Sequence, residues 1–284
     1  MKILVVGSTG TIGNQLSTYL SQNGVDVLAT SRKMTRGENC LYLDLADLSS
    51  VVDVIKKQKT FDGAVLCAAV TNLRECKRNP KITSQININS QIALAESLLQ
   101  AGTKRVVCLS SSRVFDGKSA NTDKFADYSF TTEYGRQKAE AETELLKLGQ
   151  AVRIIRFTKV FSETDSLLTD WVSKLKSGQE IEAFEDVMVS PVTLDDVVRV
   201  IAEVVESESE SVTQFSATDQ ISYFDVAQFV ASFLEVNTSL VVAKSAEEVG
   251  EAPLEHASLE CSKFKSVSPS SSIIALQKVL EKMI

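Results

Sequence analysis

The 284-residue chain is 44% hydrophobic and 24% charged, an ordinary balance for a globular protein, and its formal net charge is −7. That sign, with no basic cluster of useful size, argues against a nucleic-acid partner, and no stretch approaches the ~18 consecutive apolar residues of a membrane span. Met1-Lys2 runs straight into an apolar run without a basic-then-apolar leader. Cys40, Cys67, Cys76, Cys108 and Cys261 show no C-x-x-C spacing, so a cytoplasmic protein without a structural zinc site is expected. At this length single cores tend to split, which predicts one large domain with a smaller appendage.

The chain opens on Ile3-Leu4-Val5-Val6, which breaks into a turn with Gly7, Gly10 and Gly13 three residues apart. Ile12, Leu16, Tyr19 and Leu20 then recur at helical spacing, and Asn23-Gly24 ends the helix. A strand buried on both faces that delivers glycines to a helix N-terminus suits a dinucleotide pyrophosphate. The missing Cβ atoms let backbone approach phosphate, and free N–H groups and the helix dipole face the anion. Gly7, Thr9, Gly10, Thr11, Ile12 and Gly13 are therefore candidate cofactor contacts.

A second strand, Val25 to Ala29, ends at Thr30-Ser31-Arg32-Lys33. An acidic residue here would bind a ribose 2′-hydroxyl, whereas a basic one suits the 2′-phosphate of NADP. Arg32 is the better candidate than Lys33 because its planar fork binds phosphate oxygens and stacks on adenine. NADP is thus expected at Ser31 and Arg32, with NAD the alternative. After the next short apolar run, Asp44-Leu45 is placed to border the adenine, although Asp44 would equally serve as a turn residue.

The alternation continues with a strand at Ala64–Ala68, a helix at Ile86–Gln100, a strand at Arg105–Leu109, a helix at Tyr134–Leu148 and a strand at Val152–Phe157. Strands and helices of these lengths predict an α/β fold with a doubly wound parallel sheet. Beyond Phe161 the pattern loosens to a helix at Leu167–Leu175, a strand at Glu180–Phe184 and helix starts at Thr193-x-x-Asp196 and Ser222-x-x-Asp225. The Glu/Ser alternation of Glu206–Ser211 reads as a solvated helix end or loop.

Tyr134 and Lys138 stand four apart, on one face of the predicted helix and about one turn (~6 Å) from each other. A phenol with a pKa near 10 is a poor acid–base catalyst at neutral pH, and an adjacent ammonium would lower that value. The preceding strand ends in Ser110-Ser111-Ser112, at the carboxyl edge where open α/β sheets bind ligands. A serine hydroxyl there would orient a substrate carbonyl while Tyr134 gives or takes its proton. The glycines, the serine and Tyr134-x-x-x-Lys138, in this order, are far more specific than any one of them.

These residues resemble the extended short-chain dehydrogenase/reductase family, and within it the dTDP-4-dehydrorhamnose reductase-like nucleotide-sugar reductases. The likeness includes Ala68-Ala69 with Thr71, Asn87, and Ser110-Ser111-Ser112-Arg113-Val114-Phe115-Asp116-Gly117. It implies an NAD(P)-binding Rossmann domain over residues 1–160, rejoined by about 191–216, with 161–284 mainly a small C-terminal α/β substrate domain. It implies Ser111, Tyr134 and Lys138 as catalytic residues, with Lys138 also holding the nicotinamide ribose, and Ala68 and Ala69 as cofactor contacts. Thr71, Ser112 and Arg113 fall on the substrate side, and a homodimer is compatible with it.

The departures also fall on the substrate side. Ser112-Arg113 replaces an Asp-Tyr pair, Lys159 stands where a Trp follows Arg156, and Ala252 replaces the Arg before Pro253. His256, the only histidine, and Lys263 are candidate phosphate contacts in its place, while a satisfied or solvent-facing His256 fits equally. The implied function is NADPH-dependent reduction of a 4-keto nucleotide sugar for surface polysaccharide precursors. The alternatives are a 4-epimerase of the same fold and a non-catalytic NADP-binding regulatory subunit.

Overall fold

The computed structural model describes residues 1–32, 39–47, 60–208, 210–250 and 252–284. Strands β1 (Lys2–Val6), β2 (Asp26–Ser31), β3 (Cys40–Tyr42), β4 (Gly63–Leu66), β5 (Val106–Ser111), β6 (Val152–Phe157) and β11 (Val212–Phe215) form one parallel seven-stranded sheet. Its order is β11-β6-β5-β4-β1-β2-β3. β4 is buried throughout and β1 from Ile3 onward, as in a sheet covered on both faces, which is why these segments read as unbroken apolar runs.

Helix α1 (Thr11–Gln22) packs Leu16 and Leu20 on one face beside Val197, Ile201 and Val204 of α7 (Leu194–Glu206). On the other face lie Leu94, Ala95 and Leu98 of α4 (Ser90–Gln100) and Ala141 and Leu145 of α5 (Glu133–Leu146). The chain leaves β1 toward β2 and β3 on one side, and β4 leads to β5 and β6 on the other. The carboxyl ends of β1 and β4 therefore part at a crevice, the switch point where such sheets take ligands.

A second core joins α6 (Ser166–Lys176), α8 (Tyr223–Phe233) and α9 (Ser272–Met283) to a parallel pair, β8 (Ile181–Phe184) and β13 (Val241–Lys244). Phe161, Leu168, Trp171, Val226, Val230 and Leu276 fill it. Short pairs link the two cores: β7 (Val160–Phe161) with β10 (Val192–Thr193), and β9 (Met188–Val189) with β12 (Ile221–Ser222). Thr193 caps α7 by accepting from Asp196 N, and Ser222 with Asp225 forms a full capping box on α8.

Two short helices, α2 (Leu73–Arg78) and α3 (Pro80–Ser84), lead into a π-turn at Gln85–Asn89 that heads α4. The segment read as a single helix from Ile86 is thus divided, because a π-turn takes in an extra residue. Lys33, and Ser209 within the Glu206–Ser211 stretch, lie outside the described residues. No helix among the described residues is long and apolar enough to cross a membrane.

Candidate active site

The crevice at the switch point holds about 280 Å³ and is lined by Gly7, Thr9, Gly10, Ser31, Arg32, Asp44, Leu45, Ala68 and Ala69. Gly7 has φ +82°, and a Cβ on it would stand 2.8 Å from the Ala68 Cβ, so only glycine lets the turn close against the end of β4. A Cβ on Gly13 would meet the Gly7 carbonyl at 2.3 Å, whereas at Gly10 the nearest atom would be 3.4 Å away. Gly7 and Gly13 therefore shape the turn, and Gly10 leaves open space in front of it. Gly10 caps α1 without a side-chain bond, which leaves the first N–H groups of the helix, near the exposed Thr9 and Thr11, free to meet an anion. Ile12 packs inward on the α1 core.

The turn is held from β2. Gly7 N donates to Thr30 Oγ1 at 3.2 Å and Ser8 Oγ donates to the Thr30 carbonyl at 2.9 Å. Nothing in the spacing of the sequence marks Thr30 for this role. Arg32 is exposed at the mouth of the crevice, Ser31 is buried beside it, and Asp44 Oδ1 accepts from Ala46 N at 3.0 Å. Asp44 therefore shapes its turn as well as lining the crevice.

Tyr134 begins α5 one residue past Glu133, and Thr132 caps the helix by accepting from Gly135 N at 3.1 Å. Gly135 is required here, since a Cβ would stand 2.1 Å from the Arg113 carbonyl. The β5–α5 approach is thereby close enough to set Ser111 against Tyr134. Burial pushes the Tyr134 phenol well above its ordinary value and the Cys76 thiol adds to this, while the Ser111 hydroxyl and the Arg113 guanidinium act in the opposite sense.

Lys138 is 7% exposed, and its Nζ donates to the Leu109 carbonyl at 2.8 Å, 6.0 Å from the centre of the Tyr134 ring. Burial lowers its own pKa, and the Cys108 thiol, Glu142 and two further thiols oppose that. The expected lowering of Tyr134 is not realised in the protein alone. The cation that offsets part of the burial penalty is Arg113, and Lys138 is engaged with the end of β5.

Two buried networks fix this group; the sequence resemblance picks out Asn87 and Arg156 but not the partners they join. Asn87, at the π-turn, accepts from Val70 N at 2.8 Å and donates to Val70 O at 2.9 Å, so its amide clamps the loop after Ala68-Ala69. The same amide donates to Gln137 Oε1 at 2.8 Å, and Gln137 Nε2 donates to Thr83 at 2.9 Å, tying the loop to α5. Below Lys138, Arg156 of β6 pairs with Glu142 of α5 at 2.7 Å, with both side chains all but fully buried. Ser110 and Tyr128 hydroxyls also donate to Glu142. Arg156 reaches Gln214 Oε1 of β11 at 3.1 Å and the Lys124 carbonyl at 3.0 Å.

On the substrate side, Ser112, Arg113, Gly117, His256 and Ser258 line one narrow gap. It is closed by His256 N donating to the Gly117 carbonyl at 2.9 Å and Asn121 N donating to Ser258 Oγ at 2.9 Å. Gln220 Nε2 donates to His256 Nδ1 at 2.8 Å while its Oε1 accepts from Ala257 N. His256 is thus held at Nδ1, and its Nε2 has no hydrogen-bond partner among the described residues. Thr71 is exposed on the loop before α2. The structure parts Lys263 from His256: it is exposed beside Ser262, which pairs with Gln214 on the outer strand β11, and it does not line the gap.

The doubly wound sheet thus carries a serine, a tyrosine and a lysine at its carboxyl edge beside a crevice shaped by glycines. The chain belongs to the family described as RmlD substrate binding domain, whose profile matches residues 1–283. It is 23% identical over 278 residues to methionine adenosyltransferase 2 subunit beta of Danio rerio, covering 93% of this chain and 84% of that one. It is 24% identical over 235 residues to dTDP-4-dehydrorhamnose reductase of Aggregatibacter actinomycetemcomitans, covering 80% and 76%. The crystal structure of dTDP-4-dehydrorhamnose reductase from Bacillus anthracis in complex with NADP matches with a TM-score of 0.87 at 19% identity, covering 99% of this chain and 98% of that one. That likeness establishes the fold.

Proposed function

We propose that this chain is an NADPH-dependent reductase of a 4-keto nucleotide sugar. The observation that carries the reading is that Ser111 ends β5 and Tyr134 opens α5 where Gly135 packs against the Arg113 carbonyl, with Lys138 one helical turn on and the glycine crevice alongside. The crevice fits a dinucleotide on its own geometry: open space at Gly10, unpaired N–H groups at the α1 N-terminus and a cation, Arg32, at the far mouth. A nicotinamide dinucleotide bound there supplies the hydride. Ser111 would orient the carbonyl, Tyr134 would protonate its oxygen, and Lys138 would hold ribose hydroxyls of the bound cofactor. Sugar specificity falls to Thr71, Ser112, Arg113 and His256.

The relatives support this reading: one is named dTDP-4-dehydrorhamnose reductase, and a solved neighbour of the same name was crystallised with NADP. A second reading is favoured by the relative named methionine adenosyltransferase 2 subunit beta. It is a subunit that binds the cofactor without turning over a sugar, and the retained Ser111, Tyr134 and Lys138 weigh against it.

The cofactor preference tests the first half of the proposal. Because Arg32 faces the crevice mouth, NADPH is expected to bind about 10-fold or more tightly than NADH through a charge-assisted contact to the 2′-phosphate. Arg32→Asp should erase or reverse that order. Fluorescence titration with both nucleotides reads the effect, and equal affinities in the wild type would remove NADP from the proposal.

A further inference from the structure

We propose that the substrate of this site carries a carboxylate on its sugar and that Arg113 binds it. The inference rests on the proposed nucleotide-sugar reduction and narrows it to acidic sugars. Arg113 sits in a one-turn 3-10 helix, Ser112–Val114, directly after Ser111. Its main chain is fixed at both ends, with Arg113 N donating to Ser111 Oγ at 3.2 Å and its carbonyl packed against Gly135. The side chain therefore leaves the backbone two residues from the catalytic serine and one contact from the helix that carries Tyr134.

Its guanidinium has neither a carboxylate partner nor a side-chain hydrogen bond among the described residues, although carboxylates pair with Arg136 and Arg156 nearby. The ionisable groups close enough to act on Arg113 are the Tyr223 and Tyr134 phenols, one from each core. Tyr223 opens α8 and packs edge-on against Trp171. A largely desolvated guanidinium without a counter-charge is costly to keep, and it is offset when a ligand brings the anion. The fork geometry of arginine suits a planar carboxylate through two parallel bonds.

Position decides which anion this is. A nucleotide sugar offers a diphosphate at its anomeric carbon and, if acidic, a carboxylate on the carbon next to the 4-keto group. Tyr134 must reach the carbonyl oxygen, and Arg113 is anchored between Ser111 and Gly135, the residue after Tyr134. It therefore stands at the reacting end of the sugar, with the anomeric carbon directed across the ring. His256 lines the same gap, with its Nδ1 held by Gln220.

Matched pairs of stable nucleotide sugars that differ only at C6 test this. UDP-glucuronic acid against UDP-glucose, and the corresponding dTDP pair, are titrated into the protein with NADP present. The acidic member is expected to bind about 10–100-fold more tightly in at least one pair. Arg113→Gln should abolish that preference without lowering the melting temperature, since it removes a desolvated charge that has no counter-ion within the described residues. A wild type that binds both members of each pair equally overturns the carboxylate assignment and leaves the reductase proposal standing. An equal loss of both sugars in Arg113→Gln also overturns it, because the arginine would then serve the diphosphate. Failure of every nucleotide sugar to bind removes both proposals together.

Discussion

Replacing Tyr134 by Phe is expected to slow hydride transfer by about 10²–10⁴-fold, the usual contribution of a positioned general acid. The substitution removes one oxygen from a ring that is 8% exposed and leaves the ring's packing in place, so folding and cofactor affinity should survive. The direction of the pKa shift sharpens the expectation. Burial holds the phenol above its ordinary value, so Tyr134 keeps its proton through neutral pH, which is the form that carbonyl reduction needs. The reductive rate should therefore be nearly flat from about pH 6 to 8, whereas the reverse oxidation, which needs phenolate, should climb with pH. A stopped-flow comparison of both directions in wild type and Tyr134→Phe checks this. A variant that reduces substrate at the wild-type rate would move the acid to another residue.

The second large effect is on stability. Glu142 accepts from Arg156, Ser110 and Tyr128 in a site from which water is excluded, and burial with the Glu142 charge pushes Tyr128 up to about 12. Glu142→Ala would strand the Arg156 guanidinium with only the Lys124 carbonyl and Gln214 Oε1 as acceptors. Removing one partner of a buried pair costs about 3–5 kcal/mol, so the urea midpoint should fall steeply. The double substitution Glu142→Leu with Arg156→Met should recover most of that loss, because hydrophobic replacement of a buried pair is often close to neutral. A single variant as stable as wild type would show that the pair is open to solvent in solution.

The same network links stability to the site. Ser110 and Ser111 are adjacent at the end of β5, and Glu142 lies one turn beyond Lys138 on α5. Loosening the Arg156–Glu142 contact would let β5 and α5 shift relative to each other. Ser111 at the end of β5 and Tyr134 at the start of α5 lie on the two sides of that junction.

The parallel sheet was legible because its strands are continuous apolar runs separated by helices with ordinary stops, and the crevice was legible because Gly7, Gly10 and Gly13 mark a strand–turn–helix junction. The two capped helices beginning after Thr193 and Ser222 were also readable, since their side chains bond the third residue on. Three kinds of feature were not. Short elements such as α2, α3 and β13 have too few residues for a period to show, and α9 follows a serine-rich stretch that obscures its start. Side-chain clamps such as Asn87 on Val70 or Thr30 on Gly7 join residues 17 and 23 apart, and no local pattern encodes such pairs. Electrostatic balance was the third: Tyr134-x-x-x-Lys138 gives the distance along the helix, but it does not reveal that Lys138 bonds the Leu109 carbonyl.

Hydride transfer to a sugar carbonyl is read by incubating the protein with 4-keto nucleotide sugars, acidic and neutral, and NADPH deuterated at the transferring position. NADPH loss at 340 nm should be matched one-to-one by a product with a single deuterium at sugar C4, and neither should appear in Tyr134→Phe on the same timescale. Stoichiometric NADPH binding with no oxidation in the presence of any of these sugars would contradict it and favour a cofactor-binding subunit without turnover.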